Sequence, residues 1–395
     1  MELKLSKIDP HTCSIEELDK EINRLKLLKE EYFNLEQSIK IFINSIYGGV
    51  GSPWFECYNV SLAEAVTLQG QDMIKFANTI IDDYFLNQWH LDFETHKLLG
   101  LKAVNKVLAK TIVIYNDTDS TYVTLEPIVN SCDWANAVLP GQTPVHFILK
   151  IKELKLNEYI KVKFDEYAAK FNTKNIQDLE LEKISYSSLM VAKKKYILDL
   201  AWKDPGIFFK PQEKIKPVGV EVVQGSTPPF SRKTLKSLLT ILFEKGKDLK
   251  YAEIVTILKE YKKQFILQSP DDISKTVSIG DYEKYVLEDR REIRLAEKCP
   301  INVRSAAVYN NQLLNSKWKT KYNLIKTGDK IKHFYAKDAN EVFGFLPNNF
   351  PYEMAPAVDY DLQFAKVIIE PFNRFMTSAG FNEIPPNLIY AKALF

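Results

Sequence analysis

The sequence predicts an α+β fold, and three stretches of the chain predict it. A long helical pattern runs from Ser14 to Gly51, and β-branched and aromatic residues flank a polar turn between Thr111 and Leu125. From Ser231 onward, leucines and isoleucines recur at helical spacing. A chain of 395 residues is long enough for about two or three domains and a large core.

The composition is that of a globular protein, without a global excess of basic residues and without a metal-binding cysteine pattern. Hydrophobic residues make up 46% of the chain and charged residues 26%, which is typical of a globular protein. The net charge is only +2, so any DNA-binding surface must come from local clustering of lysines. Four scattered cysteines form no metal-binding pattern and indicate a reducing compartment, so we expect the cytoplasm. The sequence contains no apolar run of membrane-spanning length, and we expect no signal peptide.

The first helix begins at a capping box that Ser14 and Glu17 form. Its apolar stripe consists of Leu18, Ile22, Leu25, Leu28 and Tyr32. An isolated helix of this kind is only marginally stable, so we expect the stripe to pack against a partner helix.

The end of this helix carries an unusual polar face, in the stretch SIKIFINSIYGGVG. Lys40, Asn44 and Tyr47 are four and three residues apart, and therefore share one side of the helix. Gly48, Gly49 and Gly51 are expected to end the helix and to leave room for a close approach to the backbone. The alternative is an ordinary surface lysine followed by a glycine cap.

The stretch TIVIYNDTDSTYVTL predicts a β-hairpin with acids at its turn. Asp117 and Asp119 on a rigid turn are suited to hold a divalent metal. A calcium loop is the less favoured metal site, because Tyr122 stands where such a loop has its glycine. The remaining alternative is an acidic surface turn without function.

The other elements follow from periodicity and turn residues. We expect helices at 61–84, 147–171, 231–261 and 359–377, strands at 179–185, 187–200 and 219–223, a loop at 129–142, and a small β element at 328–336 and 342–346. The helix at 61–84 should turn Ala65, Leu68, Met73, Phe76 and Ile80 or Ile81 inward, and the one at 147–171 should place Ile151, Leu154, Tyr159, Val162 and Tyr167 on its apolar side. The stretch 87–110 has no assigned role.

Taken together, these motifs resemble family B DNA polymerases, in particular the replicative enzymes of tailed phages. KIFINSIYGG resembles the fingers-helix motif of that family, and YNDTDS resembles its palm motif. Three later segments, VAKKKYIL, GVEVVQGSTPP and KCPINVRSAAVYN, resemble family segments in the same order. The resemblance implies a fingers remnant at 1–51, a partial palm with an antiparallel sheet at 52–217, and an α-rich thumb at 218–395.

The resemblance also implies roles for individual residues. Asp119 would bridge two Mg²⁺ ions, and Asp117 would be the neighbouring acid. Lys40 would contact the triphosphate of a bound dNTP, Asn44 and Tyr47 would border the nascent base pair, and Gly48 would allow its close approach.

The lysine run is expected to contact the minor groove of primer–template DNA, where hydrogen-bond acceptors occur at every base pair. It comprises Lys193, Lys194, Lys195 and Tyr196. An exposed charge run is the alternative. Glu180 or Glu182 would lie beside the metal site or on a solvated strand face.

Two substitutions depart from the family pattern. Asn116 stands where the family has glycine, and we expect asparagine to tolerate an unusual backbone angle there. Lys195 replaces an arginine and so lacks the planar fork of that side chain.

The larger departure is a missing motif. The sequence contains no Asp-x-x-Ser-Leu-Tyr-Pro-Ser stretch, which carries the family's other metal-binding aspartate, and no exonuclease motif. We therefore expect the C-terminal part of a split DNA polymerase, whose N-terminal partner chain supplies that aspartate and the first fingers helix. The alternatives are a catalytically inactive DNA-binding or scaffold subunit and a fragment of a longer chain.

The C-terminus suggests a further partner. Its last residues, Tyr390 to Phe395, resemble the start of a peptide with which replicative polymerases bind a sliding clamp. The alternative is a frayed chain end. For a phage-encoded enzyme, the expected location is the cytoplasm of the infected host cell.

Overall fold

A computed structural model describes residues 12–289, 292–337 and 342–390 of the chain. It contains α-helices and small antiparallel sheets, with about 52% of residues in helices, which agrees with the predicted α+β class. The chain divides into two units, Met1–Leu179 and Glu180–Phe395. The assignment of fingers, palm and thumb to 1–51, 52–217 and 218–395 stays a prediction.

Helices dominate the first unit. They are α1 (Ile15–Val50), α2 (Val60–Asp83), α3 (Phe93–Leu99), α4 (Glu126–Asn130), α5 (Pro144–Ile151) and α6 (Asn157–Ala169). Strands β1 (Val113–Asp117) and β2 (Ser120–Val123) pair antiparallel in a sheet of their own.

The second unit contains more strand. Its helices are α7 (Pro229–Lys245), α8 (Tyr251–Phe265), α9 (Pro270–Ile273), α10 (Tyr282–Tyr285), α11 (Ile301–Leu314), α12 (Tyr360–Phe364), α13 (Glu370–Ser378) and α14 (Asn387–Tyr390). Its strands are β3 (Lys183–Ala192), β4 (Lys195–Lys203), β5 (Ile207–Phe208), β6 (Ile215–Val218), β7 (Lys275–Ser278), β8 (Val286–Asp289), β9 (Glu292–Leu295), β10 (Lys330–Tyr335) and β11 (Val342–Phe345).

Helix α1 is one continuous helix of 36 residues, which joins the apolar stripe to the Lys40 face. The predicted capping box is present: the backbone N–H of Ser14 donates to the Glu17 carboxylate at 2.9 Å, and the Glu17 N–H donates to Ser14 Oγ at 3.3 Å. The expected glycine ending is partly wrong. Gly48 and Gly49 lie within the helix, and Gly51 caps it with φ −85°, so the cap does not use a left-handed glycine.

Much apolar surface of α1 and α2 is exposed. Every residue of α1 is described and none is buried. In α2, Ala65 and Leu68 were expected to face inward, yet both are exposed. Only the second half of α2 packs against α6, where Ala77 and Ile80 are buried with Phe164, and Met73, Phe76 and Ile81 pack at the margin. The first half makes no such contact, which explains the error.

The stretch 87–110, which had no assigned role, helps to form a helical core. Trp89 is fully buried, and its indole Nε1 donates to Ser131 Oγ at 3.1 Å. The ring Nε2 of His96 lies 2.7 Å from the Trp89 carbonyl oxygen. Part of the expected loop at 129–142 is therefore structured, because α4 and a 3-10 turn at Trp134–Ala137 close this core.

The predicted helix at 147–171 is interrupted by a π-helical turn, Lys152–Leu156, between α5 and α6. Such a turn inserts a residue and changes which side chains face inward. Ile151 is buried as expected, but Leu154 and Val162 are exposed. After the turn, the inward residues are Phe164 and Ala168 instead.

Three strand predictions in the second unit need correction. Strand β3 begins at Lys183 rather than Leu179. The expected strand at 187–200 comprises the end of β3 and the start of β4, joined by a turn. The stretch from Gly219 to Val223 is not a strand but a series of turns after β6, because Gly219 has φ +66° and breaks the extended backbone.

The helical pattern from Ser231 is confirmed by α7 and α8, and the small β element is confirmed by β10 and β11, which β7 extends to three strands. One core joins α7, α8 and the run from α12 to α13. A second core lies between α11 and the β11–β10–β7 sheet, where Phe334, Phe343 and Phe345 are fully buried.

A substitution at Gly344 tests how closely α11 packs on the β11–β10–β7 sheet. A Cβ at Gly344 would lie 2.9 Å from the backbone carbonyl of Ser305, which cannot move without shifting the helix. We expect Gly344→Ala to lower the free energy of unfolding by about 1–3 kcal/mol in urea denaturation. Gly280→Ala is the control, because nothing lies within 4 Å of its Cβ position. Equal stability of the two variants would contradict this packing.

His333 on β10 should make stability depend on pH. Burial lowers its pKa from 6.5 to about 4, and nearby Lys275 adds to the effect. The neutral ring is favoured in the folded state, so stability is complete above pH 6.5 and falls as the pH drops toward 4. The loss should reach up to about 3 kcal/mol. His333→Gln should remove this part of the pH dependence; a stability difference between the two proteins that is constant from pH 7 to 4 would contradict it.

Candidate functional site

The hairpin of β1 and β2 carries the two predicted acids at its turn. Asp117 pairs with Ser120 as the last rung, and Thr118 and Asp119 form the two-residue loop between them. Thr118 Oγ1 donates to Asp117 Oδ1 at 3.1 Å, and Ser120 Oγ donates to the Asp117 carbonyl at 3.0 Å. Asp117 is half-buried and Asp119 is exposed, so the second carboxylate is the more accessible to solvent.

The unusual backbone angle lies at Thr118 and not at Asn116. Thr118 has φ +57°, while Asn116 sits in β1 opposite Thr121, with no positive φ. A positive φ at the first loop position alone is the pattern of a type II′ turn, which normally has glycine there. A β-branched residue in this conformation is strained, and strain of this kind concentrates at functional sites.

Helix α2 holds the hairpin in place through two polar side chains. The Asp82 carboxylate accepts from Thr111 Oγ1 at 2.6 Å and from the Ile112 backbone N–H at 2.8 Å. One turn earlier, Asn78 Oδ1 accepts from Thr121 Oγ1 at 2.9 Å. Neither residue was predicted from the sequence, since polar side chains on a helix give no signal until their strand partners are known.

The donor set of the turn suits Mg²⁺, which prefers oxygen ligands and usually takes one or two carboxylates from the protein. Asp117 and Asp119 provide such oxygens. Across the described ranges 12–289, 292–337 and 342–390, no three His, Cys, Asp or Glu side chains group closely enough to hold a metal ion. The turn thus presents two carboxylates without a third acidic, histidine or cysteine ligand from the described part of this chain.

The polar face of α1 is also open to solvent. Lys40, Asn44, Tyr47 and Gly48 are all exposed, and nothing lies within 4 Å of the Cβ position of Gly48. Gly49, in contrast, packs tightly, because a Cβ there would approach the ring of Phe55 to 3.0 Å. Lys40 and Asp119 belong to the same unit, and that they face one space stays a prediction.

In the second unit, the lysine run forms the tip of the β3–β4 hairpin. Lys193 and Lys194 make the turn, with φ +61° at Lys194, and Lys195 and Tyr196 begin β4. The first two lysines are exposed and the next two residues are half-buried. The run was expected within a strand region, so its position at a turn is a correction that makes it more accessible.

Glu180 and Glu182 lie before β3 rather than within a strand, and both are exposed. Glu182 forms an ion pair with Lys183. Their expected place beside a metal site stays a prediction.

Comparison with known proteins adds a second kind of evidence. Residues 20–137 match the family model of DNA polymerase family B. This interval contains the Lys40 face of α1, all of α2 and the hairpin with Asp117 and Asp119. The lysine run lies outside it.

Individual relatives are similar over most of the chain. The DNA-directed DNA polymerase of Enterobacteria phage T4 is 23% identical over 362 residues, which is 87% of this chain and 37% of the relative. The corresponding enzyme of Escherichia phage RB69 is 22% identical, over 86% of this chain and 36% of its own length. The DNA polymerase delta catalytic subunit of Candida albicans is 24% identical, over 85% of this chain and 27% of its own length. The chain thus spans between 27% and 37% of the length of these three relatives.

Among the described residues, no helix has the length and apolar character needed to span a lipid bilayer.

The support that α2 gives the hairpin is testable by substitution. Asp82→Ala leaves the buried Ile112 N–H without its acceptor and removes the shorter hydrogen bond of the Thr111 hydroxyl, which keeps the Val113 carbonyl at 3.3 Å as an acceptor. We therefore expect the free energy of unfolding to fall by about 1–3 kcal/mol. Asp72→Ala is the matched control on the same helix, because the ion pair that Asp72 forms with Lys75 is exposed and 3.9 Å long; its effect should stay within about 0.5 kcal/mol. Urea denaturation measures both, and equal losses would contradict the role of Asp82.

Proposed function

We propose that this chain is the C-terminal part of a family B DNA-directed DNA polymerase, which transfers a nucleotide from dNTP to a primer 3′-hydroxyl. One observation carries the proposal: the interval that matches the family model contains both an exposed Lys–Asn–Tyr helix face and two carboxylates on a braced turn. Nucleotidyl transfer needs oxygen ligands for metal and a cation for the leaving phosphates, and these two features supply them.

In this proposal, Asp119 and Asp117 hold Mg²⁺ together with a further acid from outside the chain. Bound Mg²⁺ supplies positive charge against the charge that builds on the attacking and leaving oxygens. The hairpin keeps the two carboxylates in place, because its base is bonded to Asp82 and its second strand to Asn78.

The helix face would bind the incoming nucleotide. Lys40 would neutralise the leaving pyrophosphate and donate a proton to it. Asn44 and Tyr47 border the new base pair, with the flat ring of Tyr47 toward the template base. Gly48 would let the base pair approach the helix, since its Cβ position has no neighbour within 4 Å other than its own turn of the helix.

Primer–template DNA would contact the tip of the β3–β4 hairpin. Lys193 and Lys194 are exposed there, and amine donors suit minor-groove acceptors that every base pair presents. The same lysines attract phosphates, so their contribution should depend on salt.

An N-terminal polymerase chain is the partner that we propose for the first unit. The sequence lacks the Ser-Leu-Tyr-Pro motif that carries the family's second metal-binding aspartate. The apolar residues that a partner helix would cover are exposed in α1 and in the first half of α2: Ile39 51%, Ile43 59%, Ile46 52%, Val66 53% and Leu68 50%. Because these side chains are about half exposed, covering the remainder of one of them contributes about 0.8–1.5 kcal/mol.

A sliding clamp is the second proposed partner, and the cytoplasm, of an infected host if the gene belongs to a phage, is the proposed location. Leu394 and Phe395, on which the clamp contact depends, lie outside the described residues. The last described residue, Tyr390, is anchored: its hydroxyl donates to the Asp361 carbonyl at 2.6 Å, and Lys262 Nζ lies 5.1 Å from its ring centre.

Primer extension with Mg²⁺ tests this function. The chain alone should extend no primer, and mixing with the N-terminal chain should restore extension.

In the mixture, Asp119→Ala should abolish extension while DNA binding stays nearly unchanged, because it removes a metal ligand only. Lys40→Ala should lower the rate and weaken nucleotide binding, by about 100-fold in kcat/KM. Lys26→Ala, an exposed lysine of the same helix, is the control.

The outcomes separate the parts of the proposal. Robust extension by the chain alone would contradict the need for a partner. Near-normal turnover of Asp119→Ala would contradict the site. DNA binding by a mixture that never extends a primer would favour the inactive DNA-binding or scaffold subunit.

A further inference from the structure

The segment Gly219–Gln224, which follows β6, packs against the tip of the β3–β4 hairpin that carries the lysine run. Gly219 lies directly against the tip: a Cβ there would come within 2.0 Å of the Lys194 carbonyl oxygen. The Gln224 side-chain amide donates to the Gly219 carbonyl at 2.8 Å and closes the segment on itself. Glycine is required at this position for two reasons, the close approach and the φ of +66°.

Glu221 is the charged residue of this segment. Its neighbours Val220 and Val222 are buried in the core of α7, α8 and α13, which fixes the backbone on both sides. The Glu221 side chain is only 14% exposed, and its Oε1 accepts from Arg374 Nη2 at 2.6 Å. The same oxygen lies 3.7 Å from Lys195 Nζ.

This geometry makes Glu221 a bridge between two basic side chains. Lys195 begins β4 at the hairpin tip, and Arg374 belongs to α13, near the end of the described chain. Arg374 is 46% exposed and Lys195 37%, so the three charges are partly screened by solvent. Lys275 on β7 is a further cation within the electrostatic reach of Glu221 and Arg374.

We propose that Glu221 is a positioning residue that holds Lys195 at the hairpin tip and, through Arg374, joins that tip to helix α13. Glu221 also acts as an internal counter-ion, which keeps Lys195 and Arg374 from binding phosphates indiscriminately. The inference rests on the proposed DNA-binding role of the lysine run and extends it to two residues that the sequence analysis did not single out.

Two consequences follow from the bridge. Loss of the Glu221 charge releases Lys195 and Arg374 to DNA, so binding to primer–template should become stronger at low salt and steeper in its salt dependence. At the same time, Lys195 is no longer fixed, so the preference for a matched over a mismatched primer end should fall, by about three- to fivefold for a partly exposed ion pair.

The experiment is a double-mutant cycle on the full chain, with fluorescence anisotropy of labelled primer–template DNA as the readout. Glu221→Gln, Lys195→Met and the double variant are compared over a range of salt concentrations. Glu221→Gln should steepen the slope of log K against log salt by about 2, one for each released cation, and about half of this change should remain when Lys195 is absent. Glu370→Gln is the matched control. Glu370 lies on α13, as Arg374 does, and its carboxylate is paired with Lys366 Nζ at 2.6 Å.

Each outcome has one meaning. Two results would overturn the bridge. In the first, the effects of Glu221→Gln and Lys195→Met on the salt slope are additive. In the second, Glu370→Gln changes the slope and the mismatch preference as much as Glu221→Gln does, so that general charge alone explains the data. Restoration of the mismatch preference by Glu221→Asp would support it, since the shorter acid keeps the charge.

A measurement without DNA separates this inference from the proposed function. Competitive acetylation followed by mass spectrometry reports the reactivity of Lys195 relative to exposed Lys193 in the same molecule. Glu221→Gln should raise that ratio about threefold or more. An unchanged ratio would overturn the bridge. A raised ratio in a chain that binds no primer–template would support the bridge and contradict the proposed DNA-binding role.

Discussion

The carboxylate of Asp82 accepts two hydrogen bonds at the base of the β1–β2 hairpin, from Thr111 Oγ1 and from the Ile112 backbone N–H. A two-stranded hairpin is at best marginally stable in water, so its turn needs support from another element. Helix α2 provides that support, and α1 leads into α2 through a short aromatic turn. The position of the two acids, and the strained φ of Thr118 between them, therefore depend on this contact.

Local sequence was sufficient for the features that depend on neighbours along the chain. The capping box at Ser14, the hairpin from Val113 to Val123, and helices α7 and α8 were all predicted correctly, because cap residues, turn residues and periodicity act over a few positions. The acids at the turn and the residues of the helix face followed from spacing and from a family resemblance. Their roles in chemistry remain proposals.

The predictions that were wrong or missing concern residues whose environment depends on contacts that are distant in sequence. Leu68 was expected to be buried because α2 is periodic throughout, yet only the second half of α2 meets α6. Leu154 was misplaced because a π-helical turn shifts the register, which periodicity alone does not reveal. Asp82 and Glu221 look like ordinary surface acids in the sequence. Only the fold brings Asp82 to the base of the β1–β2 hairpin and Glu221 to the tip of the β3–β4 hairpin.

The central claim is that the acidic turn and the Lys40 face serve one metal-dependent site. Affinity cleavage tests it most directly. Fe²⁺ replaces Mg²⁺ in the chain mixed with the proposed N-terminal chain, primer–template and dNTP, and ascorbate and hydrogen peroxide are added. Radicals formed at bound iron should cut the backbone near Asp117–Asp119 and also near Lys40–Tyr47, and Asp119→Ala should abolish both cuts. Cuts at the turn without cuts in the helix, or cuts that survive Asp119→Ala, would contradict the claim.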